Sequence, residues 1–553
     1  MLKKTSVVVG LLAFAILALS LSVSTSAQRG PARRAHVVIL GTTDMHGRVF
    51  PVDYYTNKYD NVGITKVASL IKEARKTDPD LLLVDSGDTI QGTPLEYFHN
   101  KRNNTPPDPM MLAMSALHYD SMTVGNHEYN FGLKVLEKAR GEAKFPWLSA
   151  NTYNTGASTT HYQPYIVKEV QGVLVGVLGL TTPGIPNWEN VPNYAGLEFH
   201  ETISEAKKWV AVLRDKEKVD LVIITMHMGI EEDLSTGQTN PAQVPNENAA
   251  IAIARQVPGV DVILMGHTHR DVPSLIVNGV LLAQANRWAS HVARVDLYLE
   301  KGEAARWQVL AKAARTIPVT EKTAVDPEIA QLGQPYDKET QDWLNRTIGQ
   351  SPEEITARDC RFRDSAIVDL IQRVQLEAGQ ADVSMAACFN PDARIPKGLV
   401  TVREIAGIYE YENTLVTLEL TGRQLKDALE HSARYFREYQ PGKSLAELVD
   451  QRIPGYNFDM AEGVSYELDV TRPFGQRIQN LKFKGQPLNA SQKLRVVTNN
   501  YRVNGGGGFT MYKDAPVVYR SSAEVRELII DWVERNKVIP TQADDNWRII
   551  GGQ

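Results

Sequence analysis

Five short polar motifs, each set at the end of an apolar run, constrain this chain more than anything else in it. Residues 42–48 (TTDMHGR) follow the run 36–41, residues 85–88 (DSGD) follow 81–84, and residues 125–130 (GNHEYN) follow 122–124. His227 (in MHMG) closes a later run, and residues 266–269 (GHTH) close the last. Between the early runs, residues 64–76 and 110–118 carry apolar side chains at helical spacing. Strands alternating with amphipathic helices predict an α/β layered fold with helices covering a sheet. Loops behind successive strands meet at one edge of such a sheet, where open α/β folds build their sites. Within D-x-H and H-x-H the two side chains point the same way.

The alternation continues with strands at 173–180, 221–226 and 261–265 and helices at 203–216 and 248–256. From 272 to 319 the character turns to β, with strands at 274–277, 280–283, 291–300 and 307–311. A polar helical stretch at 327–349, without a strong apolar stripe, marks a domain boundary before Ser351-Pro352. The second unit has helices at 365–377, 422–437 and 523–536 and strands at 415–420, 464–470 and 493–498. With 553 residues, two or more domains are expected. The predicted units are 1–27 as leader, 36–320, a linker with helix at 321–352, and 353–553.

The formal net charge is −5, so a basic surface for nucleic-acid polymers or anionic membranes is not expected. Residues 1–27 read as a secretory signal: Lys3 and Lys4, an apolar stretch at 7–23, and the small-residue exit Thr25-Ser26-Ala27. Cleavage is favoured over an uncleaved anchor, which places the mature chain in the periplasm or outside the cell, with no membrane attachment after cleavage. Two cysteines, Cys360 and Cys388, leave two readings, a disulfide, slightly favoured for an exported chain, or two buried thiols.

The ligand types in the five motifs are carboxylate, imidazole and amide oxygen, without thiolate. They suit Mn²⁺, Fe, Zn²⁺ or Co²⁺. Two such ions about 3.5–4 Å apart can clamp a phosphate, with a bridging hydroxide attacking phosphorus in line. Asp88, held in a tight glycine turn, is the natural bridge. Of the 12 histidines, His36, His99, His118, His161, His200, His291 and His431 are read as ordinary core or surface residues.

In this order the motifs resemble the calcineurin-type metallophosphoesterases. With its second unit, nearly all of the mature chain resembles the exported 5′-nucleotidase / 2′,3′-cyclic-nucleotide 2′-phosphodiesterase family. The resemblance implies a four-layer α/β/β/α domain joined by a helical linker to an α+β substrate-binding domain. It implies one metal on Asp44, His46, Asp88 and His269, and another on Asp88, Asn126, His227 and His267. His127 would stabilise the transition state or protonate the leaving group. The 5′-nucleotidase branch commonly ends its motif in Asp, which supports that histidine; here the position is Asn130, similar to the cyclic-phosphodiesterase branch. An amide can orient the imidazole but not stabilise its charge.

The second domain, by the same resemblance, recognises a nucleotide. Arg361 and Arg363 (in CRFRDS) and Asn390 and Arg394 (in FNPDAR) suit a phosphate, ribose or base edge. Tyr456 and Phe458 (in GYNFD) and Tyr501 (in NNYRVNGGGGF) could sandwich a base, with no choice between the first two. The expected activity opens 2′,3′-cyclic nucleotides and dephosphorylates the 3′-nucleotide. The rivals are a 5′-nucleotidase or nucleotide-sugar hydrolase, a thiosulfohydrolase-like enzyme, and a non-catalytic nucleotide-binding protein. The resemblance also implies a swing of the second domain about the helix at 327–349. The oligomeric state is not readable from the sequence.

Overall fold

The computed structural model describes residues 33–551 apart from 235, 240–246 and 303–305. The leader expected at 1–27 lies outside the described residues. Among those described, no helix is long and apolar enough to cross a membrane.

Two six-stranded sheets form the first domain. Their strands in chain order begin with β1 (Arg33–Thr42), β2 (Leu82–Asp85), β3 (Ser121–Thr123), β4 (Trp147–Leu148), β5 (Tyr165–Val170) and β6 (Val173–Thr181). They continue with β7 (Leu221–His227), β8 (Val262–Met265), β9 (Asp271–Val277), β10 (Val280–Ala285), β11 (His291–Lys301) and β12 (Gln308–Pro318). The first sheet runs β12-β11-β1-β2-β3-β4 and the second β9-β10-β8-β7-β6-β5. β1 to β4 are mutually parallel, as are β6, β7, β8 and β10. The register pairs Thr42 with Asp85 and His227 with Thr181, so the loops that follow these strands leave each sheet side by side.

The sheets face each other through Val37, Ile39, Leu82 and Val84 on one side and Val175, Ile223, Leu264 and Ala283 on the other. The second face of the first sheet is covered by helices that include Ile64–Thr77 and Pro109–Ala116. Thr202–Ala211 and Ala250–Gln256 cover the second sheet. The order is α/β/β/α. Burial on both faces explains why these strands read as nearly unbroken apolar runs.

The helix at the boundary differs from its sequence reading. It spans Pro327–Leu344, capped by Asp326, and it does have a buried face, formed by Ile329, Gly333, Thr340 and Leu344. Gly333 lies so close to Val49 that a Cβ there would stand 2.8 Å from it, and Trp343 stacks on Tyr97. The helix is therefore part of the first domain's packing. Gly349 sits beyond it in the strand Thr347–Ser351, which pairs with Gly398–Thr401 of the second domain.

A five-stranded sheet forms the centre of the second domain, in the order Asp459–Glu462, Val383–Ala387, Lys493–Asn499, Thr414–Thr421, Val517–Glu524. The helix expected at 523–536 starts only at Val525, because Ala523 and Glu524 are still in the edge strand. Cys360 and Cys388 are joined by a disulfide that closes a loop of 28 residues. Closing a loop of that size restricts the unfolded chain, so Cys388→Ser is expected to cost about 3 kcal/mol. Urea unfolding of the oxidised protein and the variant measures it, and equal midpoints would refute it.

Candidate metal centre and substrate site

Five of the residues singled out in the sequence share one backbone peculiarity. Asp44, His46, Asp88, His267 and His269 all have φ between 47° and 69°, in the left-handed region that side chains other than glycine rarely occupy. Each stands just past a strand end, where the left-handed turn bends the chain back over the sheet edge and directs the side chain inward.

Their donor atoms converge as two groups. Asp44, His46 and His269 offer ligand atoms within 4.8 Å of one another, and so do Asp88, His227 and His267. In the first group the Nε2 atoms of His46 and His269 are 2.9 Å apart, and Asp44 Oδ1 is 3.4 Å from His269 Nε2. In the second, His227 Nε2 lies 2.9 Å from Asp88 Oδ2, while His227 Nε2 and His267 Nδ1 close on Asn126 Oδ1 at 3.1 and 2.9 Å. Asp88 also reaches toward the first group, with Oδ2 3.9 Å from His46 Nε2.

The outer ring nitrogens fix the tautomers. His46 Nδ1 donates to the Gln91 carbonyl and His227 Nδ1 to the Ser86 carbonyl, while His267 Nε2 donates to Glu247 Oε1. In the neutral rings of His46, His227 and His267, then, the inward-facing nitrogens are lone pairs, and those of His227 and His267 are set against the Asn126 oxygen. A ring lone pair facing an amide oxygen is repelled by it, and a cation between them removes the conflict. The donor set therefore fits a divalent metal at each group. Burial and His269 push His46 down to about 3, whereas Asp88 overcomes burial and lifts His227 to about 10.

The loops are held by Glu128, a residue of the GNHE motif given no role in the sequence reading. Its Oε2 accepts from Gly125 N and Asp88 N at 2.7 and 3.0 Å, and its Oε1 from Thr89 N at 2.6 Å. One buried carboxylate thus ties the turn behind β2 to the turn behind β3. Gly125 is required there because a Cβ would lie 2.2 Å from Asp88 Oδ1.

His127 stands beside both groups. Its backbone N donates to Asp88 Oδ1 at 2.8 Å, its Nε2 is 4.0 Å from Asp88 Oδ2, and its Nδ1 is bonded to Asn130 Oδ1 at 2.6 Å. Asn130 in turn donates from Nδ2 to Glu189 Oε1 at 2.9 Å.

The second domain supplies the opposite wall. Tyr411 and Tyr456 meet edge to face at 6.2 Å, and burial raises the hydroxyls of Tyr456 and Tyr501, with Glu247, the partner of His267, raising both further. Tyr501 lies on the glycine run: a Cβ on Gly506 would stand 2.5 Å from its ring. Arg502, fully buried, forks onto Asp459 with two 2.8 Å bonds and also holds the Tyr456 carbonyl, so it joins the two aromatic loops.

Between Tyr456 and Phe458 the structure decides. Tyr456 is 37% exposed and Phe458 only 3%. Phe458 stacks on Tyr435 at 5.1 Å within the core, so its reading as a base-stacking residue is corrected. Arg361 donates to the Cys388 carbonyl, packs against Gly455 and lies near Tyr411. Arg363 and Arg394 are drawn instead into surface ion pairs with Asp359 and Glu354. Asn390 spends its amide on Glu410 and the Gly407 carbonyl, which makes it a brace of its loop.

Other residues reach the site without a sequence signal. Gln91 bridges His46 to Glu412 of the second domain, and Glu412 is also held by Arg526. Arg287 stands 3.4 Å from His269 Nδ1 and stacks over Trp288, bringing a cation to the rim. These come from loops of ordinary composition.

The family model for calcineurin-like phosphoesterases matches residues 37–271, and that for the 5′-nucleotidase C-terminal domain matches residues 347–514. The chain belongs to the calcineurin-like phosphoesterases that carry a 5′-nucleotidase C-terminal domain. As a member of that family it is a metal-dependent phosphoric ester hydrolase, and the two donor groups support a dimetal centre.

Relatives extend the likeness over both domains. The 2′,3′-cyclic-nucleotide 2′-phosphodiesterase/3′-nucleotidase of Haemophilus influenzae is 29% identical, over 93% of this chain and 87% of that protein. The trifunctional nucleotide phosphoesterase protein YfkN of Bacillus subtilis is 29% identical over 95% of this chain, which spans only 39% of that longer protein. A Staphylococcus aureus chain solved with alpha-ketoglutarate superposes with a TM-score of 0.82 at 28% identity, covering 93% of this phosphoesterase and 100% of that chain.

Proposed function

We propose that this phosphoesterase is an exported nucleotide hydrolase that opens 2′,3′-cyclic nucleotides and then removes the phosphate of the resulting 3′-nucleotide. The observation that carries the reading is the placing of two buried donor groups and His127 opposite an aromatic wall of Tyr411, Tyr456 and Tyr501. The branch is favoured by the names of the Haemophilus, Yersinia and Salmonella relatives, each 28–29% identical. Proteins named 5′-nucleotidase match at 24–25%, which keeps that activity as the second reading.

In this reading Asp44, His46, Asp88 and His269 would hold one divalent ion and Asp88, Asn126, His227 and His267 the other. Such ions, when bound, withdraw charge from the phosphate and activate water. The residues do the rest. Asp88, shared, keeps the two groups in register. His127, held by Asn130 through Nδ1, presents Nε2–H to the leaving ribose oxygen and gives it a proton. Tyr456 and Tyr501 stack on the base, and the aromatic wall excludes water. The disulfide suits an oxidising compartment outside the cytosol, in keeping with export to the periplasm or beyond.

The deciding experiment is turnover by the mature protein with Mn²⁺ of 2′,3′-cyclic AMP, 3′-AMP, 5′-AMP and a UDP-sugar. The cyclic and 3′ substrates are expected to lead. A lead by 5′-AMP would move the assignment to the second reading, and no turnover by metal-loaded protein would overturn both. Tyr501→Ala is expected to raise KM for nucleotides about tenfold, the value of one lost stack, with p-nitrophenyl phosphate unaffected. An equal effect on both substrates would refute the stacking role.

A further inference from the structure

We propose that Glu189 is a positioning residue for His127, acting through Asn130 as the carboxylate that the motif itself lacks. The inference rests on the reading of His127 as general acid.

Glu189 lies in the loop behind β6, far from the five motifs in sequence. It is 7% exposed. Its Oε1 accepts from Asn130 Nδ2 at 2.9 Å and its Oε2 from Asn193 Nδ2 at 2.6 Å. Both of these partners are amides. A carboxylate can only accept. It therefore dictates which end of Asn130 it faces: the NH₂ must point to Glu189, and the oxygen must point to His127 Nδ1, where it lies at 2.6 Å. Without Glu189 nothing in the motif fixes that choice, because a flipped Asn130 could donate its NH₂ to an unprotonated Nδ1 instead. Asn130 thus links His127 to a buried carboxylate, and the chain His127–Asn130–Glu189 holds the imidazole in one orientation, its Nδ1 toward the Asn130 oxygen.

The same loop touches the second domain. The Trp188 and Glu189 carbonyls accept from Asn500 and Asn504 at 3.1 and 3.4 Å, and Asn190 Nδ2 donates to Thr414 Oγ1 at 3.0 Å. Asn500 and Asn504 flank Tyr501, so the segment that orients His127 is also the one on which the base-stacking loop rests.

The test is a charge swap. Glu189→Gln keeps the shape and one acceptor but removes the charge and leaves one amide facing an NH₂; kcat on 3′-AMP is expected to fall about tenfold with KM little changed. Asn130→Asp alone sets two carboxylates against each other and is expected to lower kcat severalfold. In the double variant the carboxylate introduced at position 130 accepts from both His127 and the new glutamine, every donor is matched again, and kcat returns to within about threefold of the parent. p-Nitrophenyl phosphate, whose leaving group needs no proton, is expected to lose less than 3′-AMP in each variant. An unchanged kcat in Glu189→Gln, or a double variant no better than Glu189→Gln, would overturn the proposal. His127→Gln is measured alongside. If it keeps full turnover the general-acid reading falls; if it fails while Glu189→Gln does not, only the role of Glu189 falls.

Discussion

Asp88→Asn is expected to lower kcat/KM for the preferred nucleotide by about a thousandfold or more and to reduce the metal bound per chain. Asp88 is 1% exposed and its carboxylate is placed toward both donor groups: 2.9 Å from His227 Nε2 and 3.9 Å from His46 Nε2. Its charge dominates the pocket. Asp88 lifts His227 and, against its own burial, is itself held well below the usual carboxylate range by His227 and His127. An amide of the same shape keeps one oxygen and loses the charge. Elemental analysis after dialysis against a fixed Mn²⁺ concentration, paired with turnover, reads both effects. Full metal content with parental turnover would refute the bridging role.

His127→Gln is expected to act differently. Metal content stays at the parental level, because no donor of either group is removed, while kcat on 3′-AMP falls about 10²- to 10⁴-fold. The fall shrinks when the leaving group is p-nitrophenolate. A uniform loss across leaving groups would instead assign His127 to holding the phosphate. The contrast between the two variants separates the residues that hold charge from the one that moves a proton.

How much of this was legible in the sequence depends on whether the signal was local. A layered α/β fold follows from apolar runs separated by helical periodicity, the four layers come only with the family resemblance, and Asp44, His46, Asp88, Asn126, His227, His267 and His269 stand together at the strand ends. Those motifs are short, and a strand end is easy to place. The helix Pro327–Leu344 reads as lacking an apolar stripe because its buried face includes Gly333 and Thr340, which carry little hydrophobic signal but permit close approach. Phe458 and Tyr456 are two residues apart on one loop, and only packing against Tyr435 separates a core ring from an accessible one. Glu189 had no signal at all. It is a single acidic residue whose role exists only once residues 130 and 193 are brought to it.

The left-handed backbone at Asp44, His46, Asp88, His267 and His269 has a consequence for descent. Each such residue costs the folded state about 1–2 kcal/mol that glycine would not. This chain bears that cost at five positions, each of which presents a donor. A lineage that no longer needed the metals would find Gly substitutions at these positions favourable to folding, each one making the return to catalysis harder. Loss of activity in this scaffold is thus a slope with a ratchet, and binding-only descendants should carry glycines where this chain carries its aspartates and histidines.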